Sequence, residues 1–261
     1  KDTYAAYKLG HHSANRSWMH ALTGAARLGQ VQALGMYVRR DGHEEKSRGA
    51  VPPNQKDWDS NAVLTKFIWG ADTGNRLGLA VEHFQRGTDL RNDNRITAAV
   101  PVAPRQDAKE RRSRLSLEHT YAPSSGTPAF DMLDTHIYYQ SSASRNDTYA
   151  FVPAAPPRAP RAYDRHVHTN SEHDTWGVTM DASKRLDRHD LYYGLSLLQT
   201  DSDRPFEDRR VYPDNGQVTD LIQDRAASAS DMVARLYVRD EITMDLGGRR
   251  ARLIPGLTVQ H

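Results

Sequence analysis

Apolar and polar residues alternate with a period of two along much of the chain. In the segment 31–40, Leu34, Met36 and Val38 share one parity, and the residues between them share the other. This is the pattern of a β-strand whose two faces meet different surroundings. About twenty residues rich in charge, Gly and Pro follow before alternation resumes near Asn61. The predicted repeating unit is therefore strand, long polar loop, strand.

Eleven segments of this kind are predicted as strands. They cover or centre on 3–10, 17–28, 31–40, 61–69, 76–86, 114–121, 129–141, 176–182, 191–197, 232–241 and 252–259. After the first, the connections alternate between tight turns (near 29, 73, 125, 187 and 247) and long loops (41–60, 87–112, 142–173 and 201–229). Because alternate connections of an antiparallel sheet lie at opposite ends, we expect every long loop on one rim.

Two classes of all-β protein fit this pattern, a soluble binding or adhesion module and a transmembrane barrel. Charged residues such as Lys66, Glu82 and Arg235 oppose the apolar parity in mid-strand, as a water-filled lumen requires. Aromatic residues near strand ends suit interfacial girdles: Trp18, Trp69, Tyr121, Tyr139 and Trp176. The predicted fold class is therefore an all-β, transmembrane antiparallel β-barrel, with the soluble module as the alternative.

The composition alone is typical of a soluble protein, with 26% charged residues and a mean hydropathy of −0.76. Such averages do not detect transmembrane strands, which need only about 9 to 11 alternating residues. No apolar run approaches the roughly 20 residues of a membrane-spanning helix. The net charge of +2 gives no indication of a nucleic-acid partner. The absence of cysteine excludes disulfides, thiolate metal sites and cysteine nucleophiles.

Several segments resemble a known family. These are ALGMYVRRDGHEE (33–45), NAVLTKFIWGADTGNRLGLAVEHFQRGTD (61–89), LYVRDEITM (236–244) and RLIPGLTVQH (252–261). They are similar to the barrel domain of TonB-dependent outer-membrane receptors, and most similar to the haem, haemoglobin, transferrin and lactoferrin group. The resemblance spans nearly the whole chain.

The resemblance implies a 22-stranded barrel plugged by an N-terminal domain and energised through TonB. Residues 1–261 would form about 11 strands of that barrel, with the plug, the TonB box and the later strands outside this sequence. The implied function is uptake of haem or another iron-bearing ligand across the bacterial outer membrane. Siderophore uptake is the alternative within the same family. Haem would be a transported ligand, not a resident cofactor. The implied partners are haem or a haem- or iron-carrying protein at the extracellular loops, TonB through the plug, and outer-membrane lipid.

Histidines are the candidate ligand-binding residues. Four of them, His43, His166, His168 and His173, are predicted to lie in extracellular loops. On an extended loop we expect His166 and His168 to point to opposite sides, which suits a chelate poorly, and no HExxH spacing is present. Haem-transporting members of the family carry their axial histidine near FRAP and NPNL boxes. Neither string occurs here, so no ligand residue is carried over and no metal site is predicted.

An enzymatic function is not predicted. Some outer-membrane barrels are hydrolases with Ser and His on the outer wall. Here Ser116 and His119 lie on opposite faces of one predicted strand, and the chain has no GxSxG elbow. No nucleophile therefore has a base within reach.

Overall fold

The computed structural model describes residues 2–47, 49, 52–70, 74–124, 126–157 and 159–261, without the side chains of 223–227. These residues form one antiparallel sheet of twelve strands. The strands are β1 (Thr3–His12), β2 (Ser17–Leu28), β3 (Val31–His43), β4 (Gln55–Trp69), β5 (Asn75–Arg91), β6 (Arg105–Tyr121), β7 (Met132–Val152), β8 (Tyr163–Leu186), β9 (His189–Val211), β10 (Val218–Leu246), β11 (Arg249–Leu253) and β12 (Gly256–Gln260). The predicted turn positions 73 and 125 lie outside the described residues. None of the described helical structure is long and apolar enough to cross a membrane.

The strands follow one another as a meander. Each strand from β1 to β10 pairs with the next one along the chain. The predicted eleventh strand is divided in two, because Pro255 has no N–H to donate to the ladder. β11 and β12 pair with β10 in one continuous register, since Ile242 lies opposite Leu253 and Arg239 opposite Gly256. Twelve strands are thus observed where the sequence predicted eleven.

One face of the sheet carries a continuous apolar belt. A single cross-strand row of this face runs through Ala33, Phe67, Leu79, Leu117, Ile137, Val178, Leu197 and Ala234. We call this the apolar face, and the opposite one the polar face. Apolar side chains of the belt are uncovered by protein, as shown by Leu79 at 41% and Leu236 at 61% exposure. Lipid is the surrounding that such a wall requires.

The aromatic residues predicted as girdles all share the parity of the apolar face. Trp69 and Tyr121 lie beside the tight turns at the ends of β4 and β6. Tyr139 and Trp176 face each other across β7 and β8 at the other edge of the belt. Two aromatic levels therefore bound the belt, as in membrane barrels.

The regions predicted as long loops are largely paired strands. Across 142–173, for example, β7 continues to Val152 and β8 begins at Tyr163. The four excursions are thus projecting hairpins, all on one rim. Alternation disappears in these hairpins because both faces are in water there, yet the backbone ladder continues. The predicted separation of tight turns and long excursions onto opposite rims is confirmed, whereas their assignment as loops is wrong.

The polar face is held together by side chains that reach across strands. Lys66 on β4 donates to Glu118 Oε2 on β6 at 2.8 Å. The intervening strand β5 presents Gly78 and Ala80 on this face, and a Cβ at Gly78 would lie 3.2 Å from Glu118 Oε2. Small residues on β5 therefore leave the space that this ion pair crosses.

Candidate functional site

The four candidate histidines lie in the projecting hairpins, but on strands and on both faces. His43 is the last residue of β3, and the other three belong to β8. The prediction that they lie in loops is wrong for all four. His166 and His168 share the parity of Trp176 on the apolar face, above the belt, whereas His173 shares the polar face.

His166 and His168 meet on one carboxylate. His168 Nδ1 lies 2.8 Å and His166 Nε2 3.2 Å from Asp147 Oδ1. The expectation that these two rings point to opposite sides is therefore wrong. Residues two apart on a β-strand project from the same face, and the segment is a strand.

Asp147 is the centre of this group. Its other oxygen accepts from Arg145 Nε at 2.8 Å, and the residue is only 7% exposed. Burial raises the pKa of Asp147, but the hydrogen bonds from Arg145, His168 and His166 outweigh burial and hold that pKa well below its usual range. Tyr149 stacks on the His166 ring at a centroid distance of 4.3 Å. The carboxylate thus remains ionised and fixes both imidazoles.

His43 lies in the same cross-strand row as Asp147. The row reads His43, Asp57, Asp89, Asp107, Asp147 and His168. His43 Nδ1 is 2.5 Å from Asp57 Oδ1, and Arg105 contacts both Asp89 and Asp107. An open groove of about 730 Å³ follows the row. Basic side chains contact its carboxylates, and across the described ranges no group of three or more His, Cys, Asp or Glu could hold a metal ion.

His173 occupies a separate depression on the polar face. Its Nδ1 lies 2.8 Å from Ser202 Oγ and its Nε2 3.0 Å from Ser171 Oγ. The depression has a volume of about 440 Å³ and includes Phe84 and Arg112. In a barrel whose apolar face meets lipid, this face lines the interior. The structure therefore brings three candidates onto the outer wall and leaves His173 alone on the inner one.

A buried carboxylate on β9 was missed by sequence reasoning. Asp208 is 2% exposed and accepts from Arg165 Nη2 at 2.8 Å and Arg210 Nη2 at 2.9 Å. Burial raises the pKa of Asp208, but hydrogen bonds from the two arginines lower it to about 2. The sequence carried no signal for this group, because the segment around Phe206, Asp208 and Arg210 has no apolar–polar alternation. This group links the projecting parts of β8 and β9 by hydrogen bonds.

The serine and histidine considered for catalysis lie on opposite faces of the sheet. Ser116 lies buried on the polar face and receives a hydrogen bond from Arg114 Nε at 3.2 Å. His119 lies on the apolar face, with Nε2 3.2 Å from Asn75 Oδ1. The two residues therefore cannot act as a nucleophile and its base.

Comparison with known proteins identifies the fold. No family model matches the chain, and a search of curated proteins finds no match. Eight solved chains match it. Among them is a structure entitled Copper transporter OprC, with a TM-score of 0.65 and 16% identity, covering 99% of this chain and 36% of that one.

The fold shared with that structure is an outer-membrane β-barrel, and this chain forms a section of such a barrel wall. The chain spans about a third of the length of that solved neighbour. At 16% identity the likeness shows the fold alone.

Proposed function

We propose that this chain is part of the barrel of a TonB-dependent outer-membrane transporter. The observation that carries the proposal is the uninterrupted apolar belt on one face, opposite a face with ion pairs such as Lys66–Glu118. A soluble adhesion module would have to cover that belt with protein, whereas lipid covers it in a barrel. Energy would come from TonB through a plug domain outside this sequence. No catalytic step is proposed.

The ligand we propose is haem or another iron-bearing compound, on the strength of the sequence resemblance. The name of the solved neighbour favours copper as a second candidate. A siderophore complex is the third, from the same family resemblance. All three are metal-bearing ligands that would be recognised on the projecting rim, since binding determinants concentrate on variable segments held by a rigid scaffold.

The two faces divide the candidate histidines between two roles. A ligand that passes through the barrel meets the polar face, so His173 is the candidate on the transport path. His43 and His168 each place Nδ1 against an aspartate, which leaves Nε2 for an external ligand. A histidine whose other ring nitrogen is held by a carboxylate is the usual arrangement of a metal- or haem-binding imidazole. These outer-wall residues, with His166, are candidates for contact with a haem- or iron-carrying protein.

The experiment is uptake by cells that depend on the intact protein containing this chain. Haem, a ferric siderophore and a copper salt are supplied separately, with and without a protonophore that removes the energy delivered through TonB. We expect protonophore-sensitive uptake of one of them. His173→Ala should reduce that uptake, and His119→Ala, which changes a histidine of the apolar face that is not a candidate, serves as the control. Uptake of all three that is unaffected by the protonophore would contradict the proposal.

A further inference from the structure

A cluster of basic side chains lies on the outer wall just above the apolar belt. We define the outer-wall recess as Lys109, Arg111 and Arg145 with the small residues Gly87 and Ala143 between them. We propose that this recess binds the phosphate group of an outer-leaflet lipid headgroup. The inference rests on the outer-membrane placement proposed above and adds a lipid-binding site to it.

The basic side chains are brought together by strand register. Lys109 on β6 lies directly opposite Arg145 on β7. Arg111 follows Lys109 by two residues and so projects from the same face. Like charges directly opposite each other destabilise a sheet unless an anion lies between them. Within the part of the chain that the structure describes, neither Lys109 nor Arg111 makes an ion pair.

Ala143 leaves space beside Arg111 that an anion would fill, whereas Asp59 Oδ1 lies over Gly87, 3.0 Å from where a Cβ would be. Gly87 pairs with Lys109 across β5 and β6, and Ala143 pairs with Arg111 across β6 and β7. The resulting recess has a volume of about 520 Å³.

Polar and acidic groups border the recess. Asn170 Nδ2 donates to Glu172 Oε1 at 2.8 Å at one end, and Asp59 lies at the other. Arg145 already shares its Nε with Asp147. The centre of the recess is therefore positive and its ends are acidic, which suits a compact anion more than an extended polyanion.

The height of the recess matches a lipid headgroup. Arg111 lies four residues beyond Leu115, the last belt residue on β6, which is about 13 Å along the strand. Because the strand is tilted by about 40°, Arg111 lies about 10 Å above the belt. Tyr139 and Trp176 mark the interface below it. Long basic side chains can extend towards the interface from such a position. Because the recess opens on the lipid-facing side, a lipid phosphate reaches it by lateral diffusion.

The test uses the intact protein, purified in detergent, and measures binding of diphosphorylated lipid A and of its dephosphorylated form. The variant Lys109→Gln/Arg111→Gln removes both unpaired charges. The control variant Arg112→Gln/Arg114→Gln removes the same number of positive charges from the polar face of the same strand. We expect the first variant to bind the phosphorylated lipid about 30-fold more weakly, from about a fivefold contribution of each basic residue near a membrane surface. The control should bind like the wild type.

Three outcomes would overturn the inference. The first is equal binding of both lipids by the wild type, and the second is equally weakened binding in the control variant. The third is displacement of the lipid by inorganic phosphate at comparable concentration, which would indicate a site for a soluble anion. Heat-dependent gel mobility checks that each variant is folded. If the double variant fails to fold, Lys109→Gln alone replaces it, and its lipid binding should be weakened to a smaller extent. Recovery of the intact protein in the soluble fraction of cells would instead refute the outer-membrane placement itself.

Discussion

Arg161 Nε donates to Asp214 Oδ2 at 2.8 Å and thereby joins the tips of two neighbouring hairpins. Arg161 belongs to the connection between β7 and β8, and Asp214 to the connection between β9 and β10. The guanidinium also lies over the Tyr212 ring, 4.5 Å from its centroid. The planar guanidinium, which has several N–H donors, therefore links the two hairpin tips at this point of the rim.

We expect Arg161→Ala to loosen both tips. Hydrogen exchange of the amides in 159–163 and 212–217 should accelerate in the intact protein, while exchange at the tight turn 187–188 stays unchanged. Arg161→Lys keeps the charge but not the planar fork, and should give most of the same effect. Unchanged exchange at both tips in Arg161→Ala would show that the contact is incidental.

The same contact should depend on pH. The hydrogen bond from Arg161 holds the pKa of Asp214 below its ordinary value. A carboxylate whose pKa is lowered in the folded state stabilises above its unfolded pKa and loses that contribution as pH falls through the folded one. The protection factors of the tip amides, which correct for the pH dependence of intrinsic exchange, should therefore be constant near neutral pH and decrease as the pH falls below about 4. In Arg161→Ala that decrease should be absent.

Asp208 should stabilise the projecting parts of β8 and β9. Its pKa is lowered to about 2, and an ordinary aspartate titrates near 4, so Asp208→Asn should cost about 2 kcal/mol at pH 7. Because the folded-state pKa is the lower one, this stabilisation is complete above pH ~4 and is lost as the pH falls towards 2. Hydrogen exchange of residues 165–168 and 206–210 measures it. Asp201→Asn, an exposed position on the same strand, should have little effect.

Side chains of the apolar belt should not tolerate charge. Leu79→Arg or Leu236→Arg should each cost roughly 2 to 4 kcal/mol near the bilayer midplane. Arg235→Ser on the polar face is the control and should be nearly neutral. Ala80 cannot serve as a control, because it is 7% exposed under the Lys66–Glu118 pair. Folding yield and denaturant midpoint in lipid vesicles provide the measurement. Equal tolerance on both faces would remove the barrel interpretation.

The two rims should differ in access from outside the cell. Single cysteines at Ser47, Asn92 and Asn215 lie on the rim of projecting hairpins, and cysteines at Asn75 and Gly248 lie on the tight-turn rim. An impermeant thiol reagent should label the first set on whole cells and the second only after the outer membrane is opened. The chain has no native cysteine, so the background is low. Labelling of both sets on intact cells would contradict the topology.

The sequence by itself determined the wall of the barrel. Where strands cross the belt, one face meets lipid and the other meets water, so residues such as Leu77, Leu79 and Val81 alternate with polar or small neighbours and the strand is visible in the pattern. The alternation of connection lengths determined the two rims for a similar reason, because an antiparallel meander permits no other arrangement.

Only the tertiary structure showed that the segments above the belt are paired strands. Both faces of the projecting hairpins are in water, so their sequence carries no alternation although their backbone ladder is continuous. Register then brought together residues far apart in the chain, such as Asp147 with His168 and Arg165 with Asp208. No single segment contains that information, because a cross-strand contact depends on which residues the ladder places opposite each other.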